Sequence, residues 1–384
     1  MILYNHMSPT LSPLEREMAK YIPAGGNWKS IPTHIPSKRL EKIRINGGRT
    51  TQYGRLTWDK PAFTLTTNYH RLSGSSNLHP TQDRMLSIRE GARIQSFFDN
   101  FVFKGSFTSQ FKQVGNAVPP LLARFIAQKI YPFVENKSFV DLFAGVGGMS
   151  KGFEMQGFNL KSAIEFDKNV FQTLQHNHKI DDPSFLINGD ITKKEIKDKI
   201  ISIKDKHKIG VVVGGPPCQG FSMIGNRNQN DPRNQLFKDY FDVINAIKPE
   251  FFVMENVIGI LSMNNGNVIK EIMNLFKGIG YHVNTPLKLC AENFGVPQKR
   301  HRIFIIGSLK PIPIKLDNKD ILFEDNNLFL PKPISVHDAI SDLPKIGIRD
   351  GALESIVDTK PNTPYQELMY GMIDFDTFYK KMNT

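Results

Sequence analysis

The stretch VVVGGPPCQGFS, Val211 to Ser222, decides how this chain is read. Three β-branched apolar residues stop at two glycines and two prolines, and a cysteine follows at once. A valine run bounded by breakers is a short buried strand, and the Gly-Gly-Pro-Pro turn ends it abruptly. Cys218 then stands at the carboxyl edge of a sheet on a stiff loop, where α/β folds place their ligands. A cysteine used only for packing sits more often inside an apolar stretch, so its position marks Cys218 as a reactive thiol, with a plain turn residue as the alternative.

Outward from that strand, the chain from Ser138 onward alternates strands and helices, the signature of an α/β fold with a doubly wound, mostly parallel sheet. The pattern predicts strands at 139–143, 160–164, 184–187, 209–213 and 251–254. Helices are expected at 148–156, 170–176, 193–208, 235–247 and 268–276, and a closing hairpin from 281–289 and 302–306. Residues 1–82 differ in texture. Their turn-formers (Pro23 to Gly26, Pro32, Pro36, Gly47-Gly48 and Gly74) predict a smaller, irregular, β-rich unit that presents loops, with a strand at 62–66 and a helical period only around 14–22. Ser87 and Glu90 have the spacing of a capping box. QVGNAVPP, Gln113 to Pro120, reads as a glycine turn opening an apolar helix at 121–130, and residues 308–384 return to loops.

The 384 residues, 40% hydrophobic and 22% charged, suit a soluble globular protein of two domains. No apolar run approaches the roughly 20 residues of a membrane span, and the first ten residues lack a signal-peptide pattern. Two cysteines, Cys218 and Cys290, make neither a disulfide framework nor a Cys-rich zinc site, so a cytoplasmic protein is expected. The net charge of +12 is unevenly spread: residues 1–130 hold 18 Lys/Arg against 7 Asp/Glu, the remainder 31 against 30. Such concentration is the footprint of a polyanion-binding surface, solvated surface lysines being the alternative, and the arginines among aromatic and small polar residues in 50–71 favour the former.

Asp141 to Gly148, DLFAGVGG, ends the first predicted strand in a glycine turn before a helix, where a ligand can approach the backbone. Ser150 occupies the third glycine position of the nicotinamide fingerprint, so that motif fails. Glu165 ends the second strand as an acceptor for ribose hydroxyls should, and Asp190 ends the third. Together these turns suggest an adenosine-containing cofactor without a phosphate requirement. Glu255, in Glu255-Asn256-Val257 after the fifth strand, should emerge at the same edge as Cys218. In QKRHR, Gln298 to Arg302, strand alternation puts Gln298, Arg300 and Arg302 on one face. His176 and His178 stand at i, i+2, which share no helix face, so no metal site is expected. Cys290, in an apolar setting, is expected to be buried for packing.

GGPPCQGFS, ENV, QKRHR and DLFAGVGG resemble signature blocks of the cytosine-5 DNA methyltransferases of bacterial restriction–modification systems. RMLSIREGARIQSF and QVGNAVPP resemble the last two blocks of that family, which normally follow the others and here precede them. Joining Thr384 to Met1 restores the usual order, so the chain resembles a circularly permuted member cut within the variable recognition region. Phe98-Asp99 departs from the family, which has a proline before the acidic residue.

The resemblance implies a Rossmann-like, S-adenosylmethionine-dependent catalytic domain at 113–314 and a target-recognition domain split between 1–112 and 315–384. It implies that Cys218 adds to carbon 6 of a flipped-out cytosine, that Glu255 protonates or hydrogen-bonds ring nitrogen 3, and that Arg302, with Arg300 beside it, supports substrate and nucleophile, while Asn256 fixes the loop. S-adenosylmethionine is expected against Phe143, Gly145, Val146, Gly148, Glu165, Asp190, Ile191, Pro217, Leu236, Asn116 and Val118. A mobile loop at 222–234, with Gly225, should close over the base, bringing Ser222 and Arg227 to the DNA. Double-stranded DNA is the expected partner of a monomeric, cytoplasmic, nucleoid-associated enzyme, with a cognate restriction endonuclease acting separately and no membrane involved. A transfer-RNA cytosine-5 methyltransferase and a non-catalytic DNA-binding regulator on this scaffold are the alternatives.

Overall fold

The computed structural model describes residues 2–217, 232–325, 327 and 329–383, with the side chains of 232–235 outside the description. The chain divides into two units. The first comprises Met1–Ala117, Ala291–Arg300 and Leu322–Thr384, the second Val118–Cys290 and His301–Ile321.

In the second unit, α1 (Pro120–Ile130) leads into β1 (Ser138–Leu142), α2 (Gly148–Met155), β2 (Asn159–Glu165), α3 (Lys168–Asn177), β3 (Leu186–Asn188) and α4 (Lys194–Ile201). Then come β4 (Val211–Gly214), α5 (Pro232–Ile247), β5 (Phe251–Val257), α6 (Asn267–Gly278), β6 (His282–Val283), β7 (Leu287–Cys290) and β8 (His301–Ser308). The sheet runs β3-β2-β1-β4-β5-β8-β6, with β7 also paired to β8. The strands β1 to β5 are parallel to their neighbours, and β8 is antiparallel to β5, β6 and β7. Strand order therefore reverses between β1 and β4, whose carboxyl ends flank the crevice of a doubly wound sheet.

The valine run forms as its composition requires. Val211, Val212 and Val213 are fully buried between β1 and β5, and a parallel strand covered on both faces reads as continuous apolar sequence. On one face, Val212, Met254 and Ile303 join Tyr240 and Ile244 of α5 and Ile272 and Phe276 of α6 in a single core. On the other, Phe139 of β1 meets Phe153 of α2, ring centroids 5.4 Å apart.

Several expectations shift. Strand β5 runs through Val257, so Glu255 and Asn256 lie inside it rather than beyond it; β8 pairs along its whole length and holds these residues extended. The helix expected at 193–208 is broken at Ser202 into α4 and Ile203–Lys206. Its neighbour β3 starts late, because Asp182 accepts from Ser184 N–H and curls Pro183–Phe185 into a 3₁₀ turn.

The first unit is not β-rich. Among the described residues its strands form two small pairs, Ile2–Met7 antiparallel to Gly351–Ile356 and Ala62–Phe63 parallel to Gln298–Lys299. Helices dominate because serine, threonine or aspartate caps start them: Ser12 before Pro13–Lys20, Ser37 before Lys38–Asn46, Ser106 before Phe107–Asn116, Thr363 before Pro364–Met369 and Asp374 before Phe375–Met382. The last two also overturn the expectation of loops throughout 308–384. Ser87 and Glu90 form the expected capping box on Ile88–Ile94. Gln113 to Asn116 continue a helix rather than making a glycine turn, and Arg300 donates to the carbonyls of Gly115 and Ala117 at its end.

Buried guanidinium groups organise this unit, meeting main-chain carbonyls that loops would otherwise leave unsatisfied. Arg55 donates to the carbonyls of Ala19, Ile22, His79 and Gln82, so it is a scaffold residue rather than part of a basic surface. Fully buried Arg93 holds Asp99 at 2.8 Å and Asp342 at 2.5 Å. The contact division departs from a 113–314 boundary at three places. Residues 113–117 and 291–300 lie with the first unit through the Arg300 and Gln298–Lys299 contacts, and 315–321 lie with the second, where Asp320 meets Lys129 at 2.8 Å. Among the described residues, no helix is long and apolar enough to cross a membrane.

Candidate active site

Antiparallel pairing sets the central pair. Arg302 stands opposite Val257 and Phe304 opposite Glu255, so Glu255 and Arg302 are diagonal neighbours on one face of β5 and β8. Arg302 Nε lies 2.7 Å from Glu255 Oε1, with the two side chains 14% and 13% exposed. In such partial burial the charges are screened less than at a surface, and the hydrogen bond fixes the carboxyl plane.

Strand β5 also grips the loop leaving β4. A Cβ on Gly215 would stand 3.1 Å from Glu255 Oε2, so the carboxylate lies close against main chain that only glycine leaves open. Buried Asn256 donates from Nδ2 to the Pro216 carbonyl at 2.9 Å, and its Oδ1 accepts from Val257 N–H. Pro217 is exposed at the end of this stem. Cys218, Ser222, Gly225 and Arg227 lie outside the described residues, as does the loop up to Asp231.

Arg300 and Arg302 meet different partners. Burial does alternate through 298–302, but Arg300 is 1% exposed and belongs to the first unit, where it donates to the carbonyls of Leu65, Gly115 and Ala117. Both terminal nitrogens of its guanidinium meet main-chain carbonyls, which gives Arg300 a scaffold role in the first unit. Gln298 likewise accepts from Leu65 N–H through its side chain.

The second cluster lies at the carboxyl ends of β1, β2 and β3. Phe143, Gly145 and Gly147 all have positive φ, 64°, 58° and 87°, and this turn swings the chain into α2 at Gly148. Gly145 N–H donates to Glu165 Oε2 at 2.9 Å, and Asp167 N–H donates to Oε1 at 2.8 Å. Burial nevertheless pushes the Glu165 carboxyl above its ordinary value. A Cβ on Gly145 would meet nothing within 4 Å, so the outer side of the turn is open to a ligand. The Phe143 ring lies 6.4 Å from Tyr240, centroid to centroid. Asp190 accepts from Thr192 N–H and hydroxyl, while Val146 and Ile191 are buried beneath. Half-buried Leu236 packs on the core of the second unit, which Val118 opens. Asn116 is exposed at a helix end in the first.

Two residues here were not read from the sequence. Phe166, directly after Glu165, is 72% exposed at the strand end, and an aromatic following a strand-end acid is the signal that marks it. Asp141, inside β1, is fully buried, accepts from the Ser150 hydroxyl, and has its carboxyl pushed up to about 7 by burial. A hydroxyl-accepting carboxylate, an open glycine turn and an exposed ring together suit a nucleoside.

The family model described as C-5 cytosine-specific DNA methylase matches residues 12–132 and 137–363. The chain belongs to this family. It is 41% identical over 236 residues to the type II methyltransferase M.DdeI of Desulfomicrobium norvegicum, covering 60% of this chain and 54% of that protein. It is 34% identical over 252 residues to M.AgeI of Thalassovita gelatinovora, covering 60% and 57%. To M.FnuDI of Fusobacterium nucleatum it is 36% identical over 230 residues, covering 58% and 59%. The matches thus span a little over half the length of these curated relatives.

Proposed function

We propose that this chain transfers a methyl group from S-adenosylmethionine to carbon 5 of a cytosine in a short duplex DNA sequence. The observation that carries this reading is the Glu255–Arg302 pair held against Gly215, at the stem that leads into Cys218. A duplex hides its cytosine, so the base must be extruded at a cost of a few kcal/mol. The Cys218 thiolate adds to carbon 6, making carbon 5 nucleophilic. After carbon 5 gains the methyl group, its proton is lost and β-elimination returns the thiol. This covalent route divides one difficult step into easier ones.

A free thiol, with a pKa of about 8.5, is only a few per cent ionised at neutral pH, so a guanidinium nearby favours the reactive form. Arg302 fixes Glu255 Oε1 and so orients the carboxyl before the pyrimidine arrives to be protonated or hydrogen-bonded at nitrogen 3. Asn256 holds Pro216, two residues before the nucleophile. When bound, S-adenosylmethionine supplies an electrophilic methyl group. Gly145, Glu165, Asp190, Ile191 and Phe143 would hold its adenosine and amino-acid parts, with Phe166 stacking and Val146, Gly148, Pro217, Leu236 and Val118 around them. The loop at 222–234 would close over the flipped base.

Two stretches of family similarity, divided between α1 and β1, support a circularly permuted order of the same parts, with the closing blocks ahead of the catalytic ones. The names of the type II relatives support a place in a restriction–modification system; our reading adds a cytoplasmic monomer whose cognate endonuclease acts separately. Incubation with S-adenosylmethionine and duplex DNA carrying 5-fluorocytosine at cytosine positions tests the reading. The wild type should form a denaturant-resistant adduct and Cys218→Ala none. Tritium transfer from labelled S-adenosylmethionine to transfer RNA alone would refute the DNA substrate, and tight duplex binding with no adduct would make the chain a regulator.

A further inference from the structure

We infer that His178 is a positioning residue for the glycine turn after β1 and sets cofactor affinity through Gly147. The inference rests on the reading that this turn holds S-adenosylmethionine. His178 follows α3 directly, its N–H donating to the Leu174 carbonyl at 3.0 Å, and its side chain is fully buried. The imidazole reaches α2, with Nδ1 3.0 Å from Glu154 Oε1. Glu154 in turn stands 3.9 Å from Lys151 Nζ.

The other edge of the ring faces Gly147. A Cβ built there would stand 2.1 Å from His178 Nε2, so the imidazole occupies the space below the turn and abuts its main chain. Gly147 N–H closes the turn on the Ala144 carbonyl at 2.8 Å, and Gly145, between them, donates to Glu165. Glu154, His178, Gly147, Gly145 and Glu165 thus form a continuous line of contacts from the last turn of α2 to the carboxylate assigned to the ribose. A rigid planar ring, fixed at one nitrogen by a carboxylate, holds the turn at a set height. Without the ring, the turn can settle into the space below it and draw Gly145 N–H away from Glu165, with the adenosyl site distorted and the Glu255–Arg302 pair untouched.

The test is S-adenosylhomocysteine affinity by calorimetry, beside steady-state kinetics on duplex DNA, in wild type, His178→Ala, His178→Gln and Glu154→Gln. His178→Ala should raise Kd and the KM for S-adenosylmethionine about tenfold or more while leaving kcat at saturating cofactor within twofold. His178→Gln, whose amide can still reach Glu154, should recover most of that loss, and Glu154→Gln, which keeps the ring, should weaken binding only a few-fold. Should His178→Ala fail to fold, the two glutamine variants carry the comparison. Unchanged affinity in a folded His178→Ala, or kcat and KM falling together in all variants, overturns the inference. A wild type that binds no S-adenosylhomocysteine overturns the underlying functional reading instead.

Discussion

Asn256 offers the sharpest test of how β5 holds the stem that leaves β4. It is 5% exposed, and its Nδ2 supplies a donor to the buried Pro216 carbonyl at 2.9 Å. Asn256→Ala removes that donor and leaves a buried acceptor without it, a loss of about 1–3 kcal/mol. The second bond, from Val257 N–H, adds little, because Val257 is exposed and water can replace Oδ1. Asn256→Asp keeps the shape but turns the donor into an acceptor facing a carbonyl, with a second carboxylate next to Glu255. That arrangement costs more than the truncation, approaching the ~3–5 kcal/mol of an unpaired buried charge. Stability should therefore fall in the order Asn, Ala, Asp in urea unfolding. If the alanine penalty is borne by the closed loop, ~1–3 kcal/mol slows formation of the 5-fluorocytosine adduct by about 5- to 150-fold. An Asn256→Asp protein as stable and as fast as the wild type would refute this account of the stem.

Arg302→Met removes the guanidinium bonded to Glu255, and Glu255→Gln removes the carboxyl proposed to act on nitrogen 3 but keeps the shape. Both should slow adduct formation more than a hundredfold, with S-adenosylhomocysteine affinity by calorimetry changed less than threefold. Arg93→Met strands Asp99 and Asp342 in the interior of the first unit and should lower its unfolding free energy by about 3–5 kcal/mol in urea. Burial raises the Asp141 carboxyl from 3.8 to about 7, so between those values the folded chain keeps a proton that the unfolded chain has lost. Stability should then fall as pH rises through that window, and Asp141→Asn should flatten the slope in melts taken across it.

Local pattern carried the second unit well, because valine runs, glycine turns and capping serines act over a few residues. The parts that escaped it depend on partners far along the chain. Glu255 and Asn256 look like residues after a strand until β8, nearly fifty residues later, pairs across them. Alternation puts Arg300 on one face with Gln298 and Arg302, but does not say which carbonyls its guanidinium meets; Leu65 and Gly115 come from distant sequence. The first unit misled more, since its interior relies on pairs such as Arg93 with Asp342 that no period encodes. Phe166 carries a local mark, an aromatic after a strand-end acid, but His178 declares itself only through its burial, which spacing alone does not report.

The antiparallel ribbon of Ile2–Met7 with Gly351–Ile356 has a consequence for synthesis. At about 5–20 residues per second, a ribosome needs tens of seconds to deliver the second strand after the first has emerged. Throughout that interval Ile2–Met7 has both edges open, while residues 118–290 can already collapse around their own sheet. Ile2–Met7 thus waits for its partner strand while segments between the two can already fold, and an unpaired strand edge is open to mispairing in that interval.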